Sequence, residues 1–278
     1  GGKISGHIRL ETLVCIICPP LALRRDWTNL GLLRIRLSEV FYTHGCGKIC
    51  QGDLDRLWLS MANQFMTISD VYKKFVTPPN LQKHLLLVTH VAMYISQKFK
   101  DQNIDINKLR VAALLHDLAN IVKFDFVKHP EFLGEEQPNI NYWIDQQKQV
   151  IDQYGDDDHS ATNKMLDEIG VSDEIKNIIL SKAFGNATEV NNSQSWEAKI
   201  LLYSDLRVGP FGMISLKERI DDIVSRLEKY RNRPDLPDLV SACQNIEKQI
   251  LKITGINIEK LSESDLVIND DKLLNTPI

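Results

Sequence analysis

The sequence predicts an all-α protein, a helical bundle, and three observations carry that prediction. From Thr67 onward apolar residues recur at intervals of three and four, the period of one helix face. The alternation of Val, Ile and Thr that marks half-buried strands is missing. Helix punctuation recurs along the chain: Thr77-Pro78-Pro79, Ser215-Leu-Lys-Glu218, and glycines at 170 and 255 placed where helices should stop.

Each element follows from this spacing. Thr77-Pro78-Pro79 ends one helix and opens the next, which is predicted over Leu81–Phe99. A second is predicted over Asn107–Phe126 and a third over Ile140–Tyr154. Asp156-Asp157-Asp158 offers N-caps for a helix that stops at Gly170, because a short acceptor side chain satisfies first-turn N–H groups and glycine tolerates the left-handed stop. Ser172 caps a helix reaching Phe184, and Gly185–Ser195 reads as a polar loop before a helix over Trp196–Leu206. Ser215 and Glu218 form a capping box ahead of the stripe Ile220, Ile223, Leu227 and Tyr230, which Pro234 and Pro237 interrupt. The last predicted helix carries Cys243, Ile246, Ile250 and Ile253 on one face and ends at Gly255. Residues 256–278 are expected to be a polar, loosely held tail.

The first 60 residues differ from the rest. They carry six Arg and two Lys, against six Arg and nineteen Lys afterwards, and a balance of +3 against −7. Such a shift marks a boundary, so 1–60 is an atypical N-terminal segment ahead of a domain spanning 61–255. It is either a small separate module or upstream read-through, with natural translation starting at Met61 or Met66; the second is preferred. Cys15, Cys18, Cys46 and Cys50, with His44 nearby, could form a zinc site. The preferred reading is that these cysteines are incidental.

Bulk composition limits the function. With 43% apolar and 25% charged residues among 278, the chain is of ordinary globular type and long enough to bury a sizeable core. A net charge of −4 gives no support for a nucleic-acid or anionic-membrane partner. No apolar run reaches the length of a membrane span, and no cleavable signal is visible, so the expected location is cytoplasmic. Self-association is left open.

The chemistry lies where polar groups interrupt apolar helices. With about 100° between successive residues, Leu81, Leu85, Val88, Ala92, Ile95 and Phe99 form one stripe with His84 on its edge. His84 reads either as a ligand or as a satisfied core histidine. His90 falls on the far side of the same helix and is expected to lie outside any site. His116-Asp117 is placed in the middle of a helix buried through Val111, Leu114, Leu115 and Leu118. An ionised carboxylate beside imidazole there needs a partner. A divalent cation is the simplest, and a buried His–Asp pair or an exposed helix face is the alternative. Asp205 ends Ile200-Leu-Leu-Tyr-Ser-Asp205, where the helix dipole disfavours an acid.

In this order the text resembles the HD-domain superfamily of metal-dependent phosphohydrolases. The resemblance is carried by His84-Leu-Leu-Leu-Val-Thr-His-Val-Ala, by Ala-Ala-Leu-Leu-His116-Asp117-Leu-Ala-Asn120 and by Tyr-Ser-Asp205, over roughly residues 67–235. It implies an all-α HD-domain bundle with a metal site between core helices. His84, His116, Asp117 and Asp205 would be the ligands of a divalent ion (Mn, Mg, Fe, Co, Ni or Zn), and the reaction would be hydrolysis of a phosphate ester, often a nucleotide. Asp117 would also position water, His159 would serve catalysis or the phosphate, and Arg207 and Lys123 would meet the phosphate. A Gly-Tyr-Pro signature is absent, which argues against a cyclic-di-GMP phosphodiesterase. No acidic pair follows His116-Asp117 as in alarmone hydrolases, and Asn120 stands where many members carry Lys. Two rival readings remain at this stage: a degenerate HD domain that binds a nucleotide as a regulatory module, and a purely structural helical interaction domain.

Because the core stripes begin after Met66, a chain beginning at Met61 should fold with unchanged far-UV helicity; failure to fold would refute that boundary.

Overall fold

The computed structural model describes residues 66–100 and 104–278. The N-terminal segment, its cysteines, His44 and the proposed start at Met61 lie outside the described residues. Met61–Ile278 forms one compact unit.

Twelve α-helices are present among the described residues: α1 (Ile68–Lys74), α2 (Pro79–Ser96), α3 (Ile106–Leu115), α4 (Ile140–Tyr154), α5 (Asp158–Glu168), α6 (Asp173–Ser181), α7 (Ala187–Asn192), α8 (Trp196–Asp205), α9 (Leu216–Arg226), α10 (Glu228–Arg231), α11 (Leu236–Thr254) and α12 (Asp270–Leu274). A hairpin of two-residue strands, β1 (Val208–Gly209) and β2 (Gly212–Met213), joins α8 to α9. The all-α expectation holds, and the hairpin is too short to show strand alternation in the sequence.

Local chemistry sets the helix ends. Pro79 starts α2, where its missing N–H costs nothing. The side chains of Asp157 and Ser195 accept first-turn N–H groups of α5 and α8. Ser215 and Glu218 form the expected capping box on α9. Gly255 closes α11 at a φ of 69°. The helix expected to carry the stripe Ile220, Ile223, Leu227 and Tyr230 is broken at Leu227 into α9 and α10, and the helix expected to reach Phe184 stops at Ser181. Two further differences bear on the packing around the site. Residues 184–192 are not a loop but a 3-10 turn followed by α7, which buries Ala187 and Val190 against α11 and α8. The helix predicted over Asn107–Phe126 ends at Leu115, and a 3-10 turn follows over Asn120–Lys123.

At the centre, α2, α3 and α8 pack on one another, with α6 closing over α3 and α8. Ala112 and Ala113 on α3 are fully buried and let these backbones approach. Tyr72 donates its hydroxyl proton to the Leu114 carbonyl at 2.7 Å, tying α1 to the end of α3.

The segment after Gly255 is not loosely held. Ile258, Leu261, Leu266 and Leu273 are buried. Thr276 accepts from the Ile68 N–H at 3.0 Å, and Ile278 donates to Met66 at 3.1 Å. Polar residues outnumber apolar ones in the segment, so its average hid an anchoring set. His90 lies on the far side of α2 as expected, yet it is buried, with Nε2 at 2.9 Å from Asp270 Oδ1 of α12. The C-terminal segment supplies that cover.

Removing residues 256–278 should destabilise the protein by several kcal/mol, roughly 3 or more, since four buried apolar side chains and the partner of His90 are lost together. Chemical unfolding of the truncated chain measures this, and an unchanged midpoint would contradict it.

Candidate metal centre

His84 projects from α2, His116 and Asp117 from the end of α3, and Asp205 from the last residue of α8. One ligand atom from each lies within 4.8 Å of all the others. His84 Nε2 is 3.3 Å from Asp205 Oδ1 and 4.0 Å from Asp117 Oδ2. His116 Nε2 is 3.5 Å and 3.8 Å from the same two oxygens. Atoms bonded to one ion at about 2.1 Å stand roughly 3 to 4.2 Å apart, so these spacings are close to a shared coordination sphere.

The early end of α3 makes this convergence work. Neighbouring residues of a regular helix diverge by about 100°. Here Leu118 donates to Leu115 and Asn120 to Asp117, so the chain tightens into i→i+3 turns as the helix finishes. Both His116 and Asp117 can then serve one point. The sequence expectation placed the pair in the middle of a helix; the structure places it at the break.

Unsatisfied atoms test whether an ion fits. His116 Nδ1 donates to the Ala113 carbonyl at 2.8 Å, so that in the neutral imidazole Nε2 is the acceptor. That Nε2 and Asp205 Oδ1, both buried, have no hydrogen-bond partner among the described residues. Two acceptors facing each other in a dry space cost about 1–3 kcal/mol apiece unless a cation lies between them. Two imidazole nitrogens and two carboxylate oxygens form a donor set for a divalent ion and balance its charge.

Lys182, at the C-terminal end of α6, is the cation that sequence reasoning missed. Its ammonium donates to Asp117 Oδ1 and stands 4.0 Å from Asp205 Oδ2. A Lys at a helix C-terminus is favoured by the dipole, so in the sequence it looked like an ordinary end charge. Burial alone would raise the Asp117 and Asp205 carboxyls, but the Lys182 ammonium opposes it, and both are held below the usual carboxylate range. Burial lowers the His84 imidazole against the opposing pull of Asp205, which favours the neutral form a metal ligand needs.

Three of the four, His84, Asp117 and Asp205, line a cleft of about 540 Å³, within the size range of small-molecule sites, and His116 is buried behind them. Lys123 lines it and pairs with Asp158 at 2.7 Å; His159 lies exposed at its rim. Arg207 is elsewhere, which corrects the expectation that it meets phosphate. It is 2% exposed and donates to Ile214 O at 2.8 Å, Tyr203 Oη at 2.9 Å, Leu261 O at 2.9 Å and Ile258 O. A residue two positions past the end of α8 is turned by roughly 200° from Asp205 on a helical path, and so points away from the cleft. Its charge instead holds the C-terminal segment. Arg219 on α9 lines the cleft and was also missed, hidden in a run of alternating charge after a capping box.

Fold and centre together define a class: helical proteins that assemble a two-histidine, two-aspartate metal site between core helices. A family model for the HD domain matches residues 81–253, and the chain belongs to that family. Comparison with curated proteins and with solved structures found no match. Among the described residues no helix is long and apolar enough to cross a membrane.

Replacing His116 or Asp205 with Ala should abolish stoichiometric binding of a divalent ion, while His90→Ala should retain it; elemental analysis after gel filtration checks both. Because the His84 pKa is lowered from its ordinary 6.5, protons should compete for His84 only below that pH, and the ion should be kept at pH 6.5 and lost on further acidification. Loss already above pH 7, or loss in His90→Ala, would contradict the assignment.

Proposed function

We propose that this chain is a divalent-metal-dependent phosphohydrolase that cleaves a small phosphate ester, a nucleotide or a metabolite of similar size. The observation that carries the reading is the convergence of four ligand atoms within 4.8 Å of one another, with His84, Asp117 and Asp205 lining a cleft that cations also line. His84, His116, Asp117 and Asp205 would hold the ion. Mixed imidazole and carboxylate donors suit Mn, Fe, Co, Ni or Zn better than Mg, which prefers oxygen and retains its waters. When bound, such an ion supplies Lewis acidity toward a phosphoryl oxygen and makes water more acidic.

The chain's own groups do the rest. Asp117 has two oxygens; one can serve the ion while the other accepts a hydrogen bond from the attacking water. Lys182, poised beside both carboxylates, can neutralise charge building on the phosphoryl oxygens. Lys123 at the wall can bind a non-bridging oxygen, its position fixed by Asp158. His159 at the rim can carry a proton to the leaving oxygen as its bond to phosphorus breaks. Apolar walls at Leu81, Phe124 and Phe184 limit bulk water.

Phosphate release from a panel of nucleotides and sugar phosphates, with Mn, Mg, Co, Fe and Ni in turn, tests the reading. Turnover is expected with at least one transition ion and none in chelator. Asp117→Ala should lower it at least about a thousandfold, the several kcal/mol a catalytic ion contributes. It should do so without loss of helicity, since Ala suits a helix end better than Asp. An ion bound with no turnover on any phosphate ester would instead identify a nucleotide-binding module.

A further inference from the structure

One wall of the cleft carries more positive charge than the hydrolysis of a monoester uses. Arg219 and Arg226 on α9 and Lys229 on α10 all line it. Among the described residues a single carboxylate answers the two arginines. Asp222 accepts from Arg219 Nη1 at 3.0 Å and from Arg226 Nε and Nη2 at 2.6 and 2.5 Å. Lys229 has no ion-pair partner among the described residues; its ammonium lies 5.3 Å from the centre of the Tyr230 ring. By contrast, Lys123 and Lys128, which also line the cleft, are each matched, by Asp158 and Asp125. The α9–α10 wall therefore holds an excess of two positive charges.

Arg219 is the most informative member. Its side chain is 14% exposed, and its Nε is buried with no hydrogen-bond partner among the described residues. Of five guanidinium N–H donors, only Nη1 has a partner among the described residues, Asp222. A buried charged donor left unpaired is costly, and a planar fork of donors matches the oxygens of phosphate. Asp222, shared with Arg226, orients both guanidiniums without neutralising the pair.

We infer that Arg219, with Arg226 and Lys229 beside it, binds a second phosphate of the substrate, so that this cleft selects a ligand bearing a diphosphate or two phosphates over a monophosphate. The inference rests on the phosphohydrolase reading for the location of the first phosphate, which lies at the His84–Asp205 floor. Arg219 acts as a specificity-determining residue and not as a catalytic one.

Isothermal titration of the full chain with inorganic pyrophosphate and with orthophosphate, both in chelator, reads the cationic wall without the ion. The wild type should bind pyrophosphate at least about tenfold more tightly than orthophosphate. Arg219→Gln should weaken pyrophosphate binding roughly ten- to a hundredfold, the loss of a charged hydrogen bond, and leave metal content by elemental analysis unchanged. Arg219→Lys keeps the charge without the fork and should recover only part of the affinity. Equal affinity of the wild type for the two anions, or equal pyrophosphate binding by wild type and Arg219→Gln, overturns the inference. If Arg219→Gln loses its circular-dichroism signal, Arg219→Lys decides: wild-type affinity in that variant overturns the inference, and a several-fold loss supports it. Failure of the phosphohydrolase reading is registered separately, as a wild-type chain that binds no divalent ion.

Discussion

Two carboxylates brought within 4 Å of two imidazole nitrogens, at the meeting point of apolar helices, need a cation in the space they share. The fold is arranged around that need. Small residues at 112 and 113 allow α2, α3 and α8 to approach, and the early end of α3 lets adjacent side chains face one point. The Ala113 carbonyl selects the His116 tautomer. Lys182 brings a monovalent charge to the edge of the cluster, so even without a divalent ion the acids are partly compensated. In the proposed reaction a divalent ion held by Asp117 would compete with that ammonium and leave it available to a substrate oxygen, which would link metal binding to phosphate binding through one side chain.

Support for the centre comes from a part of the chain that never touches it. Asp205 is the last residue of α8, and its position depends on how that helix ends. Arg207, two residues later, is locked by carbonyls of Ile214, Ile258 and Leu261. The same guanidinium thereby fixes the end of α8, the β1–β2 hairpin and the C-terminal segment. A buried charge satisfied by backbone oxygens in this way is expensive to disturb. The C-terminal segment repays the connection by covering His90 on the outer side of α2, the helix that carries His84.

How much of this was legible in the sequence depended on the range of the interaction. Caps and stops are local, so the Ser215–Glu218 box and the Gly255 stop could be read from a few adjacent residues. The HD-domain text around His84, His116-Asp117 and Asp205 was legible because those residues break apolar patterns. The break at Leu115 was not, since Leu118-Ala119-Asn120-Ile121-Val122 continues a helical pattern and only packing against α4 and α5 turns it. Arg207 was misread because a basic residue near a ligand acid suits a phosphate as well as it suits a set of carbonyls. Nothing local separates the two; the Ile258 and Leu261 carbonyls that complete the set lie more than fifty residues away. Lys182 and Arg219 were missed for the same reason, each resembling the ordinary charge of a helix surface.

The central claim is that the four side chains hold one divalent ion. Anomalous diffraction from crystals grown with Mn²⁺ tests it most directly. The account expects a single strong peak about 2.0–2.3 Å from His84 Nε2, His116 Nε2 and one oxygen each of Asp117 and Asp205, with the Lys182 ammonium displaced from Asp117. Crystals with Mn²⁺ bound elsewhere, and Lys182 still paired with Asp117 between empty ligands, would contradict it.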